Sequence, residues 1–92
     1  MLPSVLRWNL PVNAAQQAMV AQAMGAKDDD AATAVAKLVE TLGQPARLHD
    51  VGVRREHYDA IAAGAMQNVF VRSNPRPVTG PAQIREMLDM AW

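Results

Sequence analysis

The stretch Asp28-Asp29-Asp30-Ala31-Ala32-Thr33-Ala34-Val35-Ala36-Lys37-Leu38-Val39-Glu40-Thr41-Leu42-Gly43 sets the fold class. Val35, Leu38, Val39 and Leu42 fall at i, i+3, i+4 and i+7, the spacing of one face of an α-helix. Three carboxylates precede it, where free N–H groups and the positive end of the helix dipole favour acidic residues, so Asp28 to Asp30 read as a cap. A metal- or phosphate-associated acidic cluster is the weaker reading of the same residues. Gly43 supplies the stop.

Upstream, Pro3 and Ser4 open a short helical turn carrying Val5, Leu6 and Trp8, and Pro11 disfavours helix at the residue before it. Asn13 is then an expected N-cap for a helix over Ala14 to Met24, with Ala15, Met19 and Ala23 on one face and Gly25 at its end. Downstream, Gln44 to Val53 reads as a connector anchored by Leu48, Val51 and Val53. A helix from about Arg54 to Met66 carries Tyr58, Ile61, Ala62 and Ala65 on one side. Val69-Phe70-Val71 is β-prone and too short for a sheet; the expectation is an extended link. Asn74 and Arg76 each precede a proline and must be extended or turn-like. Pro81 suits the first turn of a last helix with Ile84, Met87, Leu88 and Ala91 inward. The expected fold is all-α, a bundle of about five short helices with a Pro-rich loop before the last, in a single helical domain over residues 1–92.

Composition narrows the function. Of the 92 residues, 17 are alanine and only Trp8, Tyr58, Phe70 and Trp92 are aromatic, so the core is expected to be thin. The formal net charge is zero and no basic stripe exists, which argues against nucleic acid. No run is apolar and long enough to span a membrane, and the start lacks a signal-peptide pattern; with no cysteine, a cytoplasmic location is expected.

Little of the sequence points to self-contained chemistry. His49 and His57 lie eight apart across a connector, unlike a helix-borne zinc pair, although Asp50, Glu56 and Asp59 are near in sequence. The expectation is surface or capping histidines. No G-x-S-x-G elbow, phosphate loop or G-x-G-x-x-G turn occurs. Arg72 and Arg76 flank Asn74 and could hold a carboxylate, though pairing with acidic groups or loop carbonyls is the plainer role. Phe70 is either core or an aromatic lining a pocket.

Three motifs in order carry a resemblance over nearly the whole chain. Leu2-Pro3-x-Val5-Leu6-Arg7-Trp8-Asn9, then Leu42-Gly43-x-Pro45-x-x-Leu48-x-Asp50-x-Gly52-Val53, then Asn74-Pro75-Arg76-Pro77 through Ile84, Leu88 and Trp92 resemble segments of group III iron-containing alcohol dehydrogenases, closest to the maleylacetate reductase branch. The resemblance implies the C-terminal part of a helical metal- and substrate-binding domain. It implies an NAD(P)-dependent parent enzyme with iron or zinc, whose nucleotide site and Asp/His ligand set lie outside this chain. It assigns no catalytic, cofactor or metal residue here, none to His49 or His57, and leaves the chain inactive alone. It places Phe70 in a substrate pocket, with Arg72 and Asn74 on the same link; Phe70 departs from the smaller residue of some members. The expected partner is the parent's N-terminal nucleotide-binding region or a second copy of the chain. The competing readings are a free-standing helical interaction module, motivated by the thin core and exposed Trp8 and Trp92, and a small metal-binding protein using His49 and His57.

Overall fold

The computed structural model describes all residues, Met1–Trp92, and contains only helices: α1 (Leu2–Ala23), α2 (Ala31–Thr41), α3 (Tyr58–Ala65), α4 (Val69–Arg72) and α5 (Pro81–Ala91), with 3-10 turns at Leu48–Val51 and Arg55–His57. The all-α expectation and the helix number hold. No helix is long and apolar enough to cross a membrane.

α1 joins the two helical stretches expected around Pro11. Asn13 leaves the helical region (φ −139°, ψ 32°) and bends the rod at the point where Pro11 cannot donate a hydrogen bond. Asn13 does not cap a main-chain N–H as expected. Its Oδ1 accepts from Gln17 Nε2 at 2.8 Å, and the same amide donates to the Leu6 carbonyl at 2.7 Å, lacing the two halves together. The expected inward face of the second half is also corrected: Ala15 and Ala23 are exposed and Met19 is 69 % exposed, whereas Gln17 and Ala21 are buried. The Gln17 bonds back to the first half turn that side of the helix inward. α1 ends with Gly25 at φ 72° and an Ala26 N–H to Ala21 carbonyl bond of 3.0 Å, and α2 ends in the same way at Gly43.

The acidic run before α2 is a cap. Asp30 Oδ1 accepts from the Thr33 N–H at 2.8 Å, and Asp29 pairs with Lys37 at 2.7 Å. Hydrogen bonds from Thr33 hold the Asp30 carboxyl below its usual range. A carboxyl lowered by folding contributes stability that is present above its unfolded pKa and lost as pH falls through the folded one. Asp30→Ala is expected to cost about 0.5–2 kcal/mol near neutral pH. That cost should shrink as pH falls through the folded-state pKa, as urea melts of both proteins at several pH values will show.

The buried side of α2 is not the stripe of large residues. Ala31, Ala32 and Ala34 are buried, while Leu38 is 47 % and Leu42 is 63 % exposed. Small side chains let α2 lie close against α1, and that contact rotates the larger residues outward.

The core sits at the crossing of α1, α3 and α5. Trp8, Tyr58, Ala62, Ile84, Met87 and Leu88 are buried together, ringed by Val5, Leu48, Val53, Ala65, Met66, Val71 and Val78. Tyr58 donates from Oη to the Leu88 carbonyl at 3.1 Å, and burial pushes its phenol above the ordinary value. Only 14 of the 92 residues are buried. The chain's shortest extent is 17 Å, less than two helix diameters. Its radius of gyration is 13.8 Å, against about 12 Å for a compact chain of this length. The helices therefore form a slab whose broad faces stay open.

Candidate functional site: a polar lock behind an apolar groove

Residues 74–77 do not float as a loop. Asn74 Nδ2 donates to Asn9 Oδ1 at 2.7 Å and Asn9 Nδ2 returns a bond to Asn74 Oδ1 at 3.0 Å. Asn74 Nδ2 also reaches the Arg76 carbonyl at 2.6 Å, closing the turn that the two flanking prolines pre-set. Arg76 lies with its guanidinium 4.1 Å from the Trp8 ring centroid and donates to the Trp8 carbonyl at 2.8 Å. Trp8 Nε1 donates to Glu86 Oε2 at 3.1 Å. Trp8 is 1 % exposed, so its expected exposure is corrected: the indole is covered by Arg76 on one side and α5 on another. Three chain segments, far apart in sequence, are thus pinned at one point.

The lock holds the segment before it. Val69 to Arg72 is a helical turn, not the expected extended link, because Asn68 Oδ1 accepts the Phe70 N–H at 2.9 Å and Ser73 Oγ donates to the Phe70 carbonyl at 3.1 Å. Capping at both ends outweighs the β preference of valine and phenylalanine. The turn presents Phe70 to solvent, 80 % exposed, at the edge of a groove of about 410 Å³. Its lining is largely apolar, with Ile61, Ala65, Val71, Val78, Met87 and Leu88 among it, and Asn74 borders it too. Of the three candidate pocket residues, Phe70 and Asn74 border this groove and Arg72 does not. Arg76, considered with Arg72 for holding a carboxylate, is committed to Trp8. The groove wall contains no carboxylate, histidine, lysine or arginine side chain. It can offer apolar surface and shape, and no side-chain proton transfer. Because Phe70 has few contacts, Phe70→Ala is expected to change stability by no more than about 0.5 kcal/mol, measured by urea denaturation.

The histidines lie elsewhere. His57 Nδ1 accepts the Arg54 N–H at 3.1 Å, and His49 contacts Asp50 and the main-chain oxygen of Trp92.

The family follows from the whole chain: residues 1–92 match the C-terminal part of the Fe-containing alcohol dehydrogenase family. The chain belongs to that family. It is 38 % identical over 90 residues to a probable alcohol dehydrogenase, EutG, of Salmonella typhimurium, covering 95 % of this chain and 22 % of that protein. It is 34 % identical over 101 aligned positions to the lactaldehyde reductase of Escherichia coli, covering 100 % and 26 %. A 1,3-propanediol dehydrogenase of Citrobacter freundii is 33 % identical over 85 residues, covering 83 % and 22 %. The chain therefore spans about a quarter of the length of these relatives. No solved structure matches it. The family name implies iron, and the residues here do not fit that ion: no three histidine or carboxylate groups converge as a ligand set, and both histidines are engaged as described.

The lock was legible only as two separate motifs. Asn9 and Asn74 each sat in a family-like stretch, but nothing in a linear sequence says that two asparagines 65 positions apart exchange hydrogen bonds.

Proposed function

We propose that this chain is the C-terminal helical part of an NAD(P)-dependent oxidoreductase that interconverts a carbonyl compound and an alcohol in the cytoplasm. The match over residues 1–92 to the Fe-containing alcohol dehydrogenase family carries this reading. In it, the Phe70 groove is one wall of the substrate cleft, Asn74 fixes that wall, and Arg72 stands outside it. The partner is the nucleotide-binding region of the same enzyme. Nucleotide and metal are held there, and the chain's own contribution is an apolar surface of fixed shape that excludes water and orients the substrate.

The relatives' names specify alcohol dehydrogenase, lactaldehyde reductase and 1,3-propanediol dehydrogenase, which ranks small aldehydes and alcohols ahead of maleylacetate. Maleylacetate, suggested by the motif resemblance, is the competing substrate. The test compares the purified chain with the intact protein that contains it, following NAD(P)H consumption with lactaldehyde, propanal and maleylacetate. Reduction of the small aldehydes by the intact protein alone is expected. Turnover by the isolated 92 residues, or none by the intact protein with any of the three, would sink the proposal.

A further inference from the structure

A second groove, of about 660 Å³, lies between the start of α1, α2 and the end of α5. Leu2, Val35, Val39, Met90 and Trp92 supply apolar surface to it, and Leu2 and Met90 stay more than half exposed. Two arginines, Arg7 and Arg47, line it as well. Neither guanidinium belongs to any of the chain's ion pairs. The acids around them are already engaged. Asp89, which also lines the groove, pairs with Arg55 at 2.7 Å. Asp50 accepts the main-chain N–H of Arg47 at 3.2 Å. Arg7 favours the charged form of Asp30 without forming an ion pair, and that carboxylate is held by the Thr33 N–H at 2.8 Å.

On the reading above, in which the chain is part of a longer oxidoreductase, we propose that this groove seats an acidic, apolar segment from the part of the enzyme outside residues 1–92. Its carboxylates meet Arg7 and Arg47, and its apolar side chains cover Met90 and Trp92. Charge selects this occupant. A guanidinium presents its donors in a fixed fork that matches a carboxylate, and two of them without acidic partners leave positive charge for an acidic surface to complement. Composition agrees, since methionine, aromatic residues and arginine are enriched where proteins meet. The part of the enzyme that could supply the segment is large. The chain covers only 22–26 % of its relatives' length and buries only 14 of its own 92 residues. The other two grooves lack this character. The Phe70 groove has no charged side chain in its lining, and the groove along the second half of α1 carries Lys27 together with Asp29 and Asp30.

Zero-length cross-linking of the intact protein tests the proposal. Arg7→Lys with Arg47→Lys keeps both charges and gives each position an amine that a carbodiimide couples to a carboxylate in contact with it. Links from positions 7 and 47 should end on aspartate or glutamate outside residues 1–92. No link, or links only to acids such as Asp30 and Asp89, overturns it. Charge reversal gives a second reading. Arg7→Glu with Arg47→Glu in the intact protein should raise hydrogen exchange at the start of α1 and the end of α5 about tenfold, the loss of one charge-assisted hydrogen bond. Arg54→Glu, outside the groove, should not. No rise, or the same rise with Arg54→Glu, overturns the docking. So does a groove that stays open in the intact protein and takes decanoate, seen as a shift of the Trp92 indole signal in NMR; the occupant would then be a small amphiphilic acid. The carbonyl-reduction assay separates the two readings. Cross-links without turnover leave the docking standing and remove the oxidoreductase, whereas turnover without cross-links does the reverse.

Discussion

Trp8→Ala is expected to leave the chain largely unfolded or molten at room temperature. Trp8 is the largest fully buried side chain, at the crossing where α1 meets α5. Truncating such a group costs about 3–5 kcal/mol through lost transfer energy and the cavity left behind. Arg76 would also lose the ring it lies on, and Glu86 its indole donor. A chain of 92 residues has roughly 5–14 kcal/mol of stability to lose, and this open slab with few buried residues belongs near the lower end. Near-ultraviolet circular dichroism should show lost tertiary signal, and thermal melts a midpoint lowered by more than about 10 °C. Trp8→Phe should be milder, since it retains most of the apolar volume and loses mainly the Nε1 bond. A Trp8→Ala protein melting within a few degrees of the parent would mean that the core has been placed wrongly.

The second large effect concerns the paired amides. Asn9→Ala and Asn74→Ala should each cost about 1–3 kcal/mol, because each leaves a partly buried amide without its partner. Asn74→Ala should be the worse of the two, since it also releases the Arg76 carbonyl. The double variant should cost less than the sum, with a coupling of about 1–2 kcal/mol. Urea denaturation of the four proteins, with a common slope, measures that coupling directly. Additive losses would show that the reciprocal bonds are weak. On the proposed function, the same substitutions in the intact protein should raise KM for the carbonyl substrate, because they loosen the turn that carries Phe70.

What could be read from the sequence divides along physical lines. Local signals were reliable where the cause is local. The Asp30 cap, the stops at Gly25 and Gly43, and the start of α5 at Pro81 all depend on a few neighbouring atoms. The inward face of α5, Ile84, Met87, Leu88 and Ala91, was also legible, since large apolar groups at helical spacing there do face the core. The same template failed for α2. It weighs side-chain hydrophobicity, whereas the contact with α1 selects for small size, so alanine went inside and Leu38 and Leu42 stayed out. Val69 to Arg72 failed differently: β propensity is a weak preference, and two side-chain caps reversed it over four residues. The candidate site was legible only as a place on the chain. Phe70 and Asn74 were singled out by resemblance, but the groove between them, and the withdrawal of Arg76 to Trp8, depend on α1 and α5 closing on each other.

That closure has a consequence for synthesis. Trp8 leaves the ribosome before the groups that cover it: Arg76 lies 68 positions later and Glu86 78 positions later. Until they emerge, the indole has none of these native partners, and α1 with α2 can bury little beyond alanine. The nascent chain must therefore carry an exposed tryptophan and a set of open leucines while the intervening residues are made, a condition in which chaperones bind and neighbouring chains stick. Native contacts of such long sequence separation also form slowly once they become possible. The stretch from Asn74 to Glu86 thus shields a residue made long before it.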